Sequence, residues 1–184
     1  MNAKSWIGIA IGLAALIVSA QLSFEIPGTG IPQTAQTVAV LVVGAMLGAA
    51  AANVCLVAYL LAGIAGLPVF SGGSSGASTL FGPTGGYLLG FWLAACLMGY
   101  LRDRGWLQAN PVNPFLAALA GHTVIVALGG IMLSVSIGMS AAWFNGVQPF
   151  VIGALVKSVL VGVIIAVFFA IRRDAARSEA SHVS

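Results

Sequence analysis

Residues 149–173 read PFVIGALVKSVLVGVIIAVFFAIRR. Apolar side chains occupy every face, without the polar stripe of a soluble amphipathic helix, and the run ends on two arginines. At 1.5 Å per residue the stretch from Pro149 to Ile171 is about 34 Å long, enough to cross a hydrocarbon core of about 30 Å. One residue interrupts it, Lys157, about 12 Å from the end that begins at Pro149. This stretch is therefore read as a transmembrane helix carrying a cation at depth.

The rest of the chain repeats the pattern. Its 184 residues are 60% hydrophobic and 6% charged, with a mean hydropathy of +1.07. A soluble domain carries about 25% charged residues, so no water-soluble surface can be built here. Apolar segments run over 5–22, 36–50, 53–66, 84–101, 114–136 and 149–171. The expected fold is an all-α integral membrane protein of six transmembrane helices, a single membrane domain over 1–184 with a short cytoplasmic tail at 172–184. Segments two and three are short and read as a tight helical hairpin turning at Ala49–Asn53. Lys4 before the first segment and Val18-Ser19-Ala20 at its end mimic a secretory signal, but the segment is expected to remain as the first span.

Charge placement sets the orientation. With the N-terminus inside, Lys4, Arg102, Arg104, Arg172, Arg173 and Arg177 all fall on the cytoplasmic side, and only an even number of spans achieves this. Both termini are thus expected inside, in a bacterial-type cytoplasmic membrane. Two outer connections, 23–35 (SFEIPGTGIPQTA) and 67–83 (LPVFSGGSSGASTLFGP), are rich in Gly and Pro and are expected to be non-helical. Irregular backbone near membrane depth needs protein or a polar cavity to cover it, so these loops are expected to form a lid over an outward-facing pocket.

The composition excludes several classes. Cys55 and Cys96 lie inside apolar runs and form no redox or metal motif. An intramembrane enzyme would need a metal cluster, a dyad or paired carboxylates within the spans, and Glu25, Asp103, Asp174 and Glu179 all fall outside them. No catalytic residue, metal or cofactor is assigned. The Gly-rich loops lack the Lys-Ser/Thr pair of a phosphate-binding loop, so ATP could act only through a partner. The net charge of +3 sits at helix ends and indicates no nucleic acid. Asn53, His122 and Gln148 are too scattered for a channel lining, and His122 reads as a structural hydrogen bond between helices. Lys157 lacks an intramembrane counter-ion, which points to an anionic substrate. Phe81-Gly82-Pro83-Thr84-Gly85-Gly86-Tyr87 reads as a helix start in which Thr84 can cap free amides. Gly8 with Gly12, Ala10 with Ala14, and Gly44 with Gly48 and Ala52 place small residues four apart, for internal packing or for docking another membrane protein.

Residues 63–91, GIAGLPVFSGGSSGASTLFGPTGGYLLGF, closely resemble the signature of the BioY family, the biotin-specific capture subunits of energy-coupling factor transporters. Ile31–Thr37 resembles the family's Pro-x-Thr-x-Gln-Thr entry to helix two, and Pro149-Phe150, Gly153 and Lys157 resemble its helix six. The resemblance spans about 24–171 and implies a six-helix bundle that binds biotin under two outer loops. A transmembrane scaffold subunit and two ATPase subunits would then drive release inward. It implies that Lys157 meets the biotin carboxylate, that Phe70, Phe81 and Tyr87 flank the ring, and that Gln36, Ser71, Thr84 and loop amides around Gly72 and Gly73 meet the ureido edge. Ala10 with Ala14 matches the small-residue face turned to the scaffold. Helix six departs from the family's Gly-Asp-x-x-Lys at Ala154, and the helix two to three turn lacks the usual basic residue. Capture of a different small vitamin, an intramembrane enzyme and a structural membrane protein are the alternative readings, and a homo-oligomer is left open.

Overall fold

The computed structural model describes residues 2–25 and 31–183. Helix α1 (Ala3–Gln21) starts on Asn2, whose side chain accepts from the Ser5 amide at 3.0 Å and so caps a free donor. A short antiparallel pair follows, β1 (Ser23–Glu25) and β2 (Pro32–Thr34), in the register Ser23 with Thr34 and Phe24 with Gln33. The 23–35 connection is thus non-helical where it is described, as expected, and carries a strand pair; the part of the expected lid at 26–30 lies outside the described residues.

Helices α2 (Gln36–Leu47) and α3 (Ala49–Ile64) are joined by a single residue, Gly48. Gly48 has φ +83° and ψ 167°, a conformation that favours glycine, and a Cβ there would run into the Arg102 and Asp103 side chains. The turn expected at Ala49–Asn53 therefore lies one residue earlier, and the four alanines are helical because nothing in them breaks a helix. Arg102 and Asp103 close the turn. Arg102 Nη1 donates to the Leu47 carbonyl at 3.2 Å, and Asp103 Oδ2 accepts from the Ala49 amide at 2.8 Å. A cation thus sits on the C-terminus of one helix and an anion on the N-terminus of the next.

The 67–83 connection carries a 3-10 turn at Ser71–Gly73 and helix α4 (Ala77–Phe81), against the expectation of no helix. Next come α5 (Gly85–Asp103), the short α6 (Trp106–Ala109) and α7 (Asn113–Ile137). Gly138 turns the chain into α8 (Met139–Ala142), a π turn at Trp143–Val147 and α9 (Gln148–Val183). Helix α9 runs on through 172–183, where a separate tail was expected.

Among the described residues, three helical stretches are long and apolar enough to cross a membrane: Ala3–Gln21, Asn113–Ile137 and Met139–Ala175. At 1.5 Å per residue α2 rises only about 18 Å and α3 about 24 Å, which fits the hairpin reading. The chain is a multi-pass helical membrane protein. Helix α5 lies at its centre, packed against α2, α3 and α7. Close approach is permitted by glycine: Gly44 faces the Ala95 backbone, and Gly90 faces Ile125. A methyl at either would force helices apart in an interior that tolerates little overpacking. On α1, Gly12 packs inward against Cys55 and Val43, whereas Ala10 and Ala14 are exposed.

Candidate ligand-binding site

A cavity of about 260 Å³ lies among the N-terminal parts of α2, α5 and α9 and the middle of α7, with β2 and the 3-10 turn also lining it. This lies just below the usual range for small-molecule sites, about 300–1,000 Å³. Its walls are mainly apolar and aromatic: Ile31, Phe70, Tyr87, Phe91, Ile125 and Phe150 line it. Its polar lining comes from Gln33, Thr34, Gln36, Thr37, Lys157 and His122, with Ser71, Ser74 and Thr79 from the 67–83 connection and Thr84 from the N-cap of α5. No Asp or Glu is among these lining residues.

Lys157 projects from α9 and its Nζ donates to the Thr34 carbonyl at 2.7 Å. Two N–H bonds of the ammonium remain for another acceptor. One turn earlier on α9, Gly153 leaves room for the Gln33 side chain, whose Nε2 donates to the Pro149 carbonyl at 2.9 Å. Strand β2 is therefore fastened to α9 at two points.

The aromatic wall is fixed by its own partners. Tyr87 stacks on Phe150 with centroids 5.6 Å apart and donates its hydroxyl to the Gly146 carbonyl at 2.6 Å. Gly146 belongs to the π turn, where the widened helical ring frees carbonyls from the i to i+4 ladder. Phe70, 1% exposed, meets Tyr59 edge-on with centroids 5.5 Å apart and fills the space left by Gly63. Gln36 Nε2 donates to the Tyr59 hydroxyl at 2.6 Å, which donates in turn to the Val69 carbonyl at 2.9 Å. This chain of bonds ties the start of α2 to the segment that carries Phe70.

Of the residues expected from sequence, Lys157, Tyr87, Phe70, Thr84, Ser71 and Gln36 line one cavity. Phe81 does not: it ends α4 and is 76% exposed, because the short helix turns Leu80 rather than Phe81 inward. Gly72 and Gly73 are exposed, with φ of +64° and +72°, and shape the 3-10 turn without lining the cavity. Thr84 takes the N-cap position of α5 but makes no capping bond, which leaves its hydroxyl on the cavity side. His122 does make the expected interhelical bond, with Ser158 at 2.9 Å, yet it also lines the cavity. Sequence reasoning missed Phe150, Gln33 and Thr37. All three lie inside stretches that carry the family resemblance, Gln33 and Thr37 in 31–37 and Phe150 beside Pro149, and only the packing of β2, α2 and α9 shows that they line the cavity.

The chain was compared with known families, proteins and structures. A profile described as the BioY family matches residues 1–174. The biotin transporter BioY2 of Lactococcus lactis is 33% identical over 162 residues, covering 87% of this chain and 88% of that protein. The biotin transporter BioY of Thermotoga maritima is 35% identical over 166 residues, covering 88% of this chain and 93% of that protein. Among solved structures, the S-component for biotin from an ECF-type ABC transporter superposes with a TM-score of 0.81 at 24% identity, covering 91% of this chain and 94% of that one. That likeness concerns the fold.

Proposed function

Because this chain belongs to the BioY family, we propose that it takes up biotin as the substrate-capture subunit of an energy-coupling factor transporter. It is a transport protein and not an enzyme. The observation that carries the reading is a cavity with a single ammonium, aromatic walls and a mouth bordered by hydroxyl-bearing loops. Biotin offers complementary parts: an ionised carboxylate, an apolar thioether ring and a ureido group with donors and an acceptor. The carboxylate would take the free N–H bonds of Lys157 as charge-assisted hydrogen bonds. The ring would lie against Tyr87, Phe70 and Phe150, and hydroxyls such as Ser71 and Thr84 would serve the polar edges.

In this reading the protein crosses the bacterial cytoplasmic membrane six times with both ends inside, and α2 with α3 forms two short spans. The cavity opens outward, and the β1–β2 hairpin with the 67–83 segment closes it. Release inward needs a transmembrane scaffold subunit and two ATPase subunits, since the chain has no phosphate-binding loop of its own. The exposed Ala10 and Ala14 face of α1 would let a scaffold helix approach closely.

Calorimetry on the detergent-purified protein tests the assignment, with riboflavin and thiamine as competitors. Stoichiometric biotin binding that neither competitor displaces is the expected result. Well-folded protein that ignores biotin would overturn it.

A further inference from the structure

His122 sits on α7 with 2% of its surface exposed, among the residues that line the cavity. Its Nδ1 lies 3.0 Å from the Ala118 carbonyl and 2.9 Å from Ser158 Oγ. A carbonyl can only accept. Ser158 has one proton and spends it on the Ala154 carbonyl at 2.7 Å, so its oxygen also faces Nδ1 as an acceptor. Both neighbours therefore require a proton on Nδ1. A second ring proton would create a cation beside Lys157 with no carboxylate among the lining residues to balance it. The ring is thus neutral, with the proton on Nδ1 and a lone pair on Nε2. That Nε2 is buried and makes no hydrogen bond.

We infer that Nε2 of His122 is the acceptor for an N–H donor of the captured molecule, so that the site reads the ureido edge of its ligand through a neutral imidazole. The inference rests on the biotin reading and adds a specificity-determining residue to it. An orphaned acceptor in an apolar wall costs free energy that a ligand N–H recovers on binding. The donor is demanded by the tautomer, because a ligand carbonyl in the same place would meet a lone pair. Thr37 Oγ1 and Ser71 Oγ are also buried without partners on this cavity, but a hydroxyl accepts either a donor or an acceptor and so selects less. Ala154, one turn before Ser158 on α9, brings no polar side chain, which leaves this recognition to the facing helix.

The test combines a spectroscopic and a ligand arm. Nitrogen-15 spectra of histidine-labelled protein in nanodiscs should show His122 protonated on Nδ1, with the Nε2 signal moving on addition of biotin. By calorimetry, His122→Phe should weaken biotin roughly 10- to 100-fold, and His122→Gln, which carries an amide oxygen toward the Nε2 position, should recover much of the loss. Biotin methylated on its ureido nitrogens should bind wild-type protein more weakly by a similar factor, and the phenylalanine variant should no longer separate it from biotin. A proton found on Nε2, or a phenylalanine variant that still discriminates between the two ligands, overturns the inference. Wild-type protein that binds no biotin fails at the first titration and removes both readings. Wild-type binding with an indifferent His122→Phe removes this one alone. If the phenylalanine variant does not fold, the spectra and the methylated ligand on wild-type protein still decide.

Discussion

The ammonium of Lys157 donates to the Thr34 carbonyl at 2.7 Å, joining α9 to the strand that borders the cavity mouth. The same group is the only Lys or Arg among the cavity-lining residues. On the proposed reading, binding and closure therefore share one side chain.

Replacing it should affect both. Lys157→Ala is expected to lower biotin affinity roughly 10- to 100-fold, the span for losing a hydrogen bond to a charged group. Lys157→Met, which keeps most of the apolar stem, should lose nearly as much. Isothermal titration of the two variants checks this, and undiminished affinity in the methionine variant would remove the ammonium from recognition.

Gln33 makes the second fastening, to the Pro149 carbonyl. Gln33→Ala gives up one hydrogen bond of about 1 kcal/mol, so biotin should dissociate roughly fivefold faster. A chase of bound labelled biotin measures the rate. The backbone amides at positions 31, 33 and 34 should exchange faster with deuterium in the same variant.

Phe150 and Phe81 should behave oppositely. Phe150 stacks on Tyr87 in the cavity wall, and Phe150→Ala is expected to weaken biotin by about tenfold or more through lost ring contact. Phe81 stands outside, so Phe81→Ala should leave affinity within about twofold. Equal losses would mean that α4 folds inward over the ligand.

At the opposite end, Gly48→Ala should be strongly destabilising, because a side chain there is strained at φ +83° and also meets Arg102 and Asp103. Asp103→Ala should cost about 1 kcal/mol, typical of a lost helix cap. Thermal unfolding in a fixed detergent should rank Gly48→Ala below Asp103→Ala, and both below the parent protein.

Much of this was legible in the sequence because the solvent is encoded in composition. The run around Lys157 states both its length and its exception, and loop residues resembling a known signature brought Phe70, Ser71, Thr84 and Tyr87 to one site. What could not be read was orientation within short elements. Phe81 and Leu80 are equally apolar neighbours, and only the five-residue α4 decides which turns inward. The turn at Gly48 was misplaced because an alanine run has no breaker, whereas a glycine with positive φ acts only once Arg102 and Asp103 are folded against it. His122 reads as structural because it is a lone imidazole in an apolar span; that its ring also lines the cavity follows from the packing of α7 on α9.

The two fastenings of β2 to α9 link residues 116 and 123 positions apart. During synthesis the β1–β2 pair emerges long before α9 is made, and it lacks its two fastenings until residues 149–157 are in place. A ribosome-bound fragment ending before Pro149 would hold the front wall of the site without its rear. On the proposed reading, ligand-binding competence arrives only with α9, and biotin added to arrested chains of increasing length should be retained only once Lys157 has cleared the insertion machinery.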